Sequence, residues 1–312
     1  MEISNGAGIR GKDTFVPLWK AQDMVMHKER GFTLVELLVV IAIIALLMSI
    51  LMPALGRVRK QAKAVMCQAN LKQWCIIFTA YTNDNDGYFH GELGENYMQQ
   101  GWVPALRPFY SGSGRAGGSD GESGAERDIR LCPMANTRFR SDGYVGSDAA
   151  WGIYSGGTDD EGAWWAWKND CGSYGLNGWV CNEEPSVDDW WDQVGNLWRT
   201  ADVKGAANVP LFMDCQWVDG WPQERNEPPA HEGEMAQSGE YYFDQAMKQF
   251  CVNRHNKHIN GLFLDCSIRT VGLKELWTLK WHRIYMVDGP WTTAGDVTPD
   301  KWPLWMRKFE DY

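Results

Sequence analysis

Four sets of residues in this chain could do chemistry. His255 and His258 form a His-x-x-His pair with Asp265 downstream. Two imidazoles at that spacing plus a carboxylate can ligate a metal or trade protons. Inside a small sheet the same groups more often hold a hairpin together by hydrogen bonds, which is the expectation for His255 and Asp265. The second set is eight cysteines, none in the close CxxC spacing of a structural zinc site. Cys67 and Cys75 lie two helical turns apart, ~12 Å of rise, so they cannot bridge each other. Each needs a partner elsewhere in the chain or stays a buried thiol. The third is Asp84-Asn85-Asp86-Gly87, which resembles the start of a calcium loop but lacks its later ligands and reads as a helix-ending turn. The fourth is a single carboxylate, Glu36, in an otherwise apolar stretch. No nucleophile motif, phosphate-cradling glycine loop or paired-carboxylate cleft occurs, so the chain reads as a non-enzyme with no catalytic residue, resident metal or cofactor.

These groups must be positioned by larger elements, and the first begins at Lys28-Glu29-Arg30-Gly31-Phe32-Thr33-Leu34-Val35-Glu36. From Leu37 to Met52 the sequence is apolar but for Ser49, and Glu36 is the one ionisable side chain between Phe32 and Met52. At ~1.5 Å per residue the stretch from Phe32 to Met52 just spans a ~30 Å hydrocarbon core. It is longer than the apolar region of a secretory signal and continues into helix-forming sequence, so it reads as a retained membrane helix. A carboxylate there costs on the order of 2–3 kcal/mol unless paired, so Glu36 marks a function.

After Pro53, Val58, Ala62, Val65, Ala69, Ile76, Ile77 and Ala80 recur at helical intervals among Arg57, Lys60, Lys63, Gln68 and Lys72. The helix is expected to run to about Tyr81, a rod of roughly 75 Å whose outer half packs on a sheet. The turn formers Asn83 to Gly87 end it.

Gly31-Phe32-Thr33-Leu34-Val35-Glu36 resembles the processing site of type IV prepilins and type II secretion pseudopilins. The resemblance implies cleavage between Gly31 and Phe32 by a prepilin peptidase and methylation of the new amine. It extends to Pro53, where that family often carries a helix-bending proline. Cleavage would place a positive amine on Phe32, one helical turn from Glu36 and at the same membrane depth. Two such charges are tolerable in lipid only if they meet, so Phe32 and Glu36 are the expected assembly residues. The implied partners are the peptidase, other pilin or pseudopilin subunits, an assembly platform protein with its ATPase, and the membrane.

A second resemblance lies near the other end. Arg254-His255-Asn256 followed by Asn260-Gly261-Leu262-Phe263-Leu264-Asp265 resembles the processing-associated H-X9-DG segment of large pseudopilin-like proteins, with Cys266 in place of the glycine. Cys67-Gln68-Ala69-Asn70-Leu71-Lys72-Gln73, Leu131-Cys132-Pro133 and Ser173-Tyr174-Gly175-Leu176-Asn177 are similar to further segments of that group.

Charge is unevenly divided. Residues 83–312 hold 20 basic and 35 acidic side chains, a net charge near −15, which repels phosphate backbones and argues against nucleic acid as a partner. Gly101 to Tyr110 reads as a short aromatic helix or turn, and Ser111 to Gly124 as a Gly/Ser loop. Trp164, Trp165, Trp167, Trp179, Trp190 and Trp191 stand among Gly and Asp. Such rings most often build an irregular core, and alternatively stack on sugars. Val209 to Asp214, Phe250 to Val252, Gly261 to Asp265 and Ser267 to Val271 read as strands of an antiparallel meander. Cys251 and Cys266 flank two of them, which allows a cross-strand bridge.

The expected fold is α+β and pilin-like: a long N-terminal helix, half transmembrane, packed on an antiparallel sheet with large Trp/Gly-rich insertions. The expected division is a cytoplasmic leader over 1–31, the helix over 32–82 and an extracytoplasmic domain over 83–312. A leader of ordinary length would start at Met24 or Met26 rather than Met1. The expected function is that of a filament subunit, single-pass in the cytoplasmic membrane; the alternative is a membrane-anchored carbohydrate-binding or adhesion protein exported by the pilin route.

Overall fold

The computed structural model describes residues 32–91, 101–110, 129–135, 137–138, 146–152, 171–182, 194–234 and 243–312. The chain divides between Pro53 and Ala54 into two units. The first holds the apolar half of helix α1 (Leu34–Asp84), and the second holds the rest of that helix and the sheets. Among the described residues α1 is long and apolar enough to cross a membrane.

Both ends of α1 are fixed by local chemistry. At its start Thr33 Oγ1 accepts from the Glu36 backbone N–H at 3.3 Å, while Glu36 Oε2 accepts from the Thr33 backbone N–H at 2.8 Å. This is a reciprocal capping box, which satisfies two amides the helix leaves free. At its end Asp86 takes a left-handed φ of 54° and the Gly87 N–H donates to Thr82 O at 2.8 Å, a Schellman-type stop just beyond the expected Tyr81. The Asp84 to Gly87 run therefore ends a helix.

The second unit is α+β. Its main sheet joins β4 (Tyr174–Asn177), β5 (Pro210–Asp214), β6 (Asp219–Gly220), β7 (His258–Phe263) and β8 (Ile268–Gly272) in the order β6-β4-β5-β7-β8. Every pairing is antiparallel except β4 with β6. A smaller sheet joins β1 (Thr137–Arg138), β2 (Ala149–Gly152) and β3 (Cys171–Gly172). Strand β5 is central and buried at all five positions, which is why Pro210-Leu211-Phe212-Met213 reads as an unbroken apolar run.

Helix α1 covers this sheet through Cys67, Leu71, Trp74, Cys75 and Phe78, a stripe at helical spacing. The Trp74 ring lies 4.9 Å from Phe212 and 5.7 Å from Trp102 of helix α2 (Trp102–Tyr110). This stripe differs from the one expected. Val58, Ala62, Val65, Ala69 and Ile76 do not meet the sheet and remain exposed. Of the expected set Ile77 is buried, beside Leu71; hydropathy misplaced the others, because much of the sheet-facing side is cysteine and aromatic rather than aliphatic.

Two further expectations are corrected. Residues around Phe250 form a helical turn, α3 (Met247–Phe250), instead of a strand, and Cys251 is its C-cap. Cys251 is a buried free thiol, and the disulfide joins Cys75 to Cys266 with Cα atoms 5.7 Å apart. Cys266 sits in the β7–β8 turn with φ 64°, the left-handed conformation usually given to glycine. That turn lies over α1, so Cys266 reaches Cys75.

Candidate functional site

The residues of α1 that the sheet does not use form two candidate surfaces, one in each unit. Phe32 is 70% exposed, and every residue from Leu37 to Met52 is exposed. Burying a Leu, Ile or Val side chain is worth about 1.5–3 kcal/mol, so this run withholds tens of kcal/mol unless lipid or another helix covers it. Beyond Pro53, Leu55, Val58, Ala62, Val65, Ala69 and Ile76 are all exposed. Their alternating three- and four-residue steps, broken only at Lys72, give the narrow apolar seam by which one helix packs along another. Glu36 faces Thr33 in its capping box, with Thr33 Oγ1 also donating to Oε2 at 2.8 Å. Gly31 lies outside the described residues.

A second, buried constellation surrounds Asp214, the last residue of β5. Its Oδ2 accepts the Asn260 backbone N–H of β7 at 2.8 Å and lies 3.1 Å from His255 Nε2. Its Oδ1 lies 3.4 Å from Arg254 Nη1. From α1, Cys67 Sγ comes within 3.6 Å of Oδ2, and the Tyr174 hydroxyl lies 3.3 Å from that sulfur. Cys132 Sγ lies 3.4 Å from His255 Nε2. One ligand atom each from Cys67, Cys132, Asp214 and His255 falls within 4.8 Å of the others. Cys67 and Asp214 are 0% exposed, Cys132 1%, and the His255 side chain 5%.

The surrounding elements fix each member. Asn70 Nδ2 and Trp74 Nε1 of α1, one helical turn apart, donate to Leu131 O and Ile129 O, both at 2.9 Å, and so hold the loop that carries Cys132. Ser173 Oγ accepts the Cys132 N–H at 2.5 Å. Gln68 Nε2 donates to Asn260 Oδ1 at 3.0 Å, which ties α1 to β7. Arg254, fully buried, donates through Nε to Ser147 O at 2.9 Å and through Nη2 to Ala149 O and Cys215 O at 2.6 and 2.7 Å, with Nη1 on Ser173 O. A buried guanidinium needs that many acceptors and a counter-charge, and Asp214 supplies the charge.

The electrostatics follow from this packing. Burial disfavours the Asp214 carboxylate, but His255, Arg254 and the Asn260 N–H outweigh it and hold the carboxyl down at about 2. Burial likewise opposes a charged His255, and the facing Asp214 carboxylate overrides it, raising the ring to about 10. Burial pushes the Cys67 thiol well up. For Cys132 burial acts in the same direction, yet the hydrogen bonds from Cys67 and His255 and the charge of Arg254 leave it at about 7.

His255 was expected to pair with Asp265 and does not. Asp265 Oδ1 accepts from the Ser267 N–H at 2.9 Å and from its hydroxyl at 2.5 Å, capping the β7–β8 turn, while His255 turns inward to Asp214. The His255 N–H does bond His258 O across the loop, at 3.0 Å. Sequence reasoning missed the constellation because its members are far apart in the chain: 147 residues separate Cys67 from Asp214, and 123 separate Cys132 from His255. One signal was present. The segments containing Cys67, Cys132, Tyr174 and His255 each carry the same resemblance, and all four meet here. Of the tryptophan-rich middle, Trp151, Trp179 and Trp198 are buried core residues, whereas Trp164, Trp165, Trp167, Trp190 and Trp191 lie outside the described residues.

Residues 26–52 match the family described as the prokaryotic N-terminal methylation motif. Over 63 residues the chain is 43% identical to the type IV wide pilus major component PilA4 of Thermus thermophilus, a stretch that covers 20% of this chain and 48% of that protein. The chain thus spans about half the length of this curated relative. No solved structure matches it.

Proposed function

We propose that this chain, type IV prepilin-like at its N-terminus, is a structural subunit of a type IV pilus-like or type II secretion pseudopilus filament. In this reading a prepilin peptidase cuts between Gly31 and Phe32, α1 anchors the subunit in the cytoplasmic membrane, and the domain after it lies outside. One observation carries the proposal: α1 exposes an apolar run and then an apolar seam from Leu55 to Ile76, on residues the sheet leaves uncovered. An anchor alone would need the run but not the seam. Neighbouring copies of α1 or of related subunits would cover it, and lateral insertion from the membrane would deliver it there. The Phe32 amine, once freed, would replace Thr33 as the partner of Glu36 within one subunit or between two. The assembly platform protein and its ATPase are the implied motor.

The test is recovery of the chain from its native host in sheared surface filaments or in a cross-linked periplasmic filament fraction. The parent chain is expected there. Glu36→Gln and Val65→Glu should leave the protein in the membrane at unchanged abundance. A parent chain absent from every assembled fraction, or both variants assembling as well as the parent, would overturn the proposal.

A further inference from the structure

We propose that Cys67, Cys132, Asp214 and His255 bind a structural zinc(II) ion that ties α1 to the domain it anchors. Three of the six donor–donor edges are already close to those of such a site, and all six lie within 4.8 Å. With the usual Zn–S, Zn–N and Zn–O lengths, a tetrahedral centre has edges of about 3.5 Å for S···N, about 3.3 Å for N···O and about 3.5 Å for S···O. The corresponding separations here are 3.4 Å for Cys132 Sγ to His255 Nε2, 3.1 Å for His255 Nε2 to Asp214 Oδ2 and 3.6 Å for Cys67 Sγ to Asp214 Oδ2. The sulfur, nitrogen and oxygen donors suit zinc, because thiolates disfavour calcium and magnesium and a closed tetrahedron disfavours square-planar ions.

Charge closes as well. Two thiolates and a carboxylate around a divalent ion leave one negative charge, and the fully buried Arg254 guanidinium beside Asp214 cancels it. On binding, the aqua ion gives up its waters, and the two thiol protons and any proton on the His255 ring pass to solvent. No electrons move.

The supporting shell of a metal site is also present. The Tyr174 hydroxyl is directed at Cys67 Sγ, the Asn260 N–H and Arg254 orient the Asp214 oxygens, and Ser173 fixes the Cys132 backbone. Four buried protein ligands leave no coordination position for substrate, so the role is structural. A metal also accounts for two adjacent thiols persisting in a domain that closes a disulfide elsewhere.

The experiment uses the full chain extracted in detergent without chelator. Elemental analysis should find about one zinc per chain in the parent and in Cys251→Ser, whose thiol lies outside the cluster, and a tenfold or greater loss in Cys67→Ser and Cys132→Ser. Because those two variants could fail for want of folding, the parent supplies a second reading. Stripped and reloaded with cobalt(II), it should show thiolate charge-transfer and tetrahedral ligand-field bands, and Cys67 and Cys132 should resist alkylation until chelator is added. A parent with neither zinc nor a cobalt spectrum, or a non-reduced peptide joining Cys67 to Cys132, would overturn the proposal.

Discussion

Replacing Cys75 with serine opens a loop of 191 residues, the span that the Cys75–Cys266 bond closes. The chain-entropy relation gives about 5 kcal/mol for a loop of that length, near the upper end of what one disulfide contributes. Nearly all of it acts on the unfolded state, because the disulfide's position between α1 and the β7–β8 turn is also held by other contacts, including Gln68 with Asn260. With a urea slope of about 2.5 kcal/mol per molar, the midpoint should fall by about 2 M. Tryptophan fluorescence of the detergent-solubilised chain reads this directly, since Trp74 lies in the core against Phe212. The pairing that the sequence allowed, Cys251 with Cys266, would close a loop of only about 15 residues, worth about 3 kcal/mol. The two pairings are separable: Cys75→Ser and Cys266→Ser should cost the same large amount, and Cys251→Ser only about 1 kcal/mol for a buried thiol made polar. A Cys75→Ser chain that unfolds at the parent's midpoint, or a Cys251→Ser chain that matches Cys266→Ser, would refute this reasoning.

Arg254→Met should cost more than about 3 kcal/mol and prevent stable folding, because it strips donors from the carbonyls of Ser147, Ala149, Ser173 and Cys215 and leaves Asp214 without its guanidinium. Arg254→Lys should not rescue it, since one ammonium cannot reach five acceptors, and protease sensitivity of the extracted chain measures both. His90 is fully buried with neither ring nitrogen bonded among the described residues, and burial holds it down at about 3 against an unfolded value near 6.5. The unfolded chain therefore binds the extra proton, so stability should fall by about 2 kcal/mol as pH drops from 7 to 5. His90→Phe should flatten the urea midpoint over that range by the same amount; an unchanged pH profile would count against the burial of His90.

The long apolar run, the helix stop after Tyr81 and strands β5, β7 and β8 were legible in the sequence because each is specified by local pattern. Apolar length, the turn residues Asn83 to Gly87 and runs such as Pro210 to Met213 need no distant partner to be recognised. Whatever depended on long-range contact was read less well. Aliphatic recurrence on α1 picked out Ile77 of the buried face but otherwise followed the exposed one, because Cys67, Trp74 and Cys75 bury a helix without looking aliphatic. The Cys251 pairing failed because nearness in sequence stood in for nearness in space, whereas Cys266 takes a left-handed turn that aims it at α1. Asp214 ends a strand and carries no motif of its own, so nothing in the sequence marked it as the acid on which Cys67, Arg254, His255 and Asn260 converge.

The account rests on α1 being released by proteolysis as an assembly helix, and the mature N-terminus tests that most directly. Mass spectrometry of the chain isolated from the membranes of its native host should find an N-terminal peptide that begins at Phe32 and carries a methyl group on its amine. A mature chain that retains Gly31 and residues before it, with an unmodified Phe32, would contradict the account.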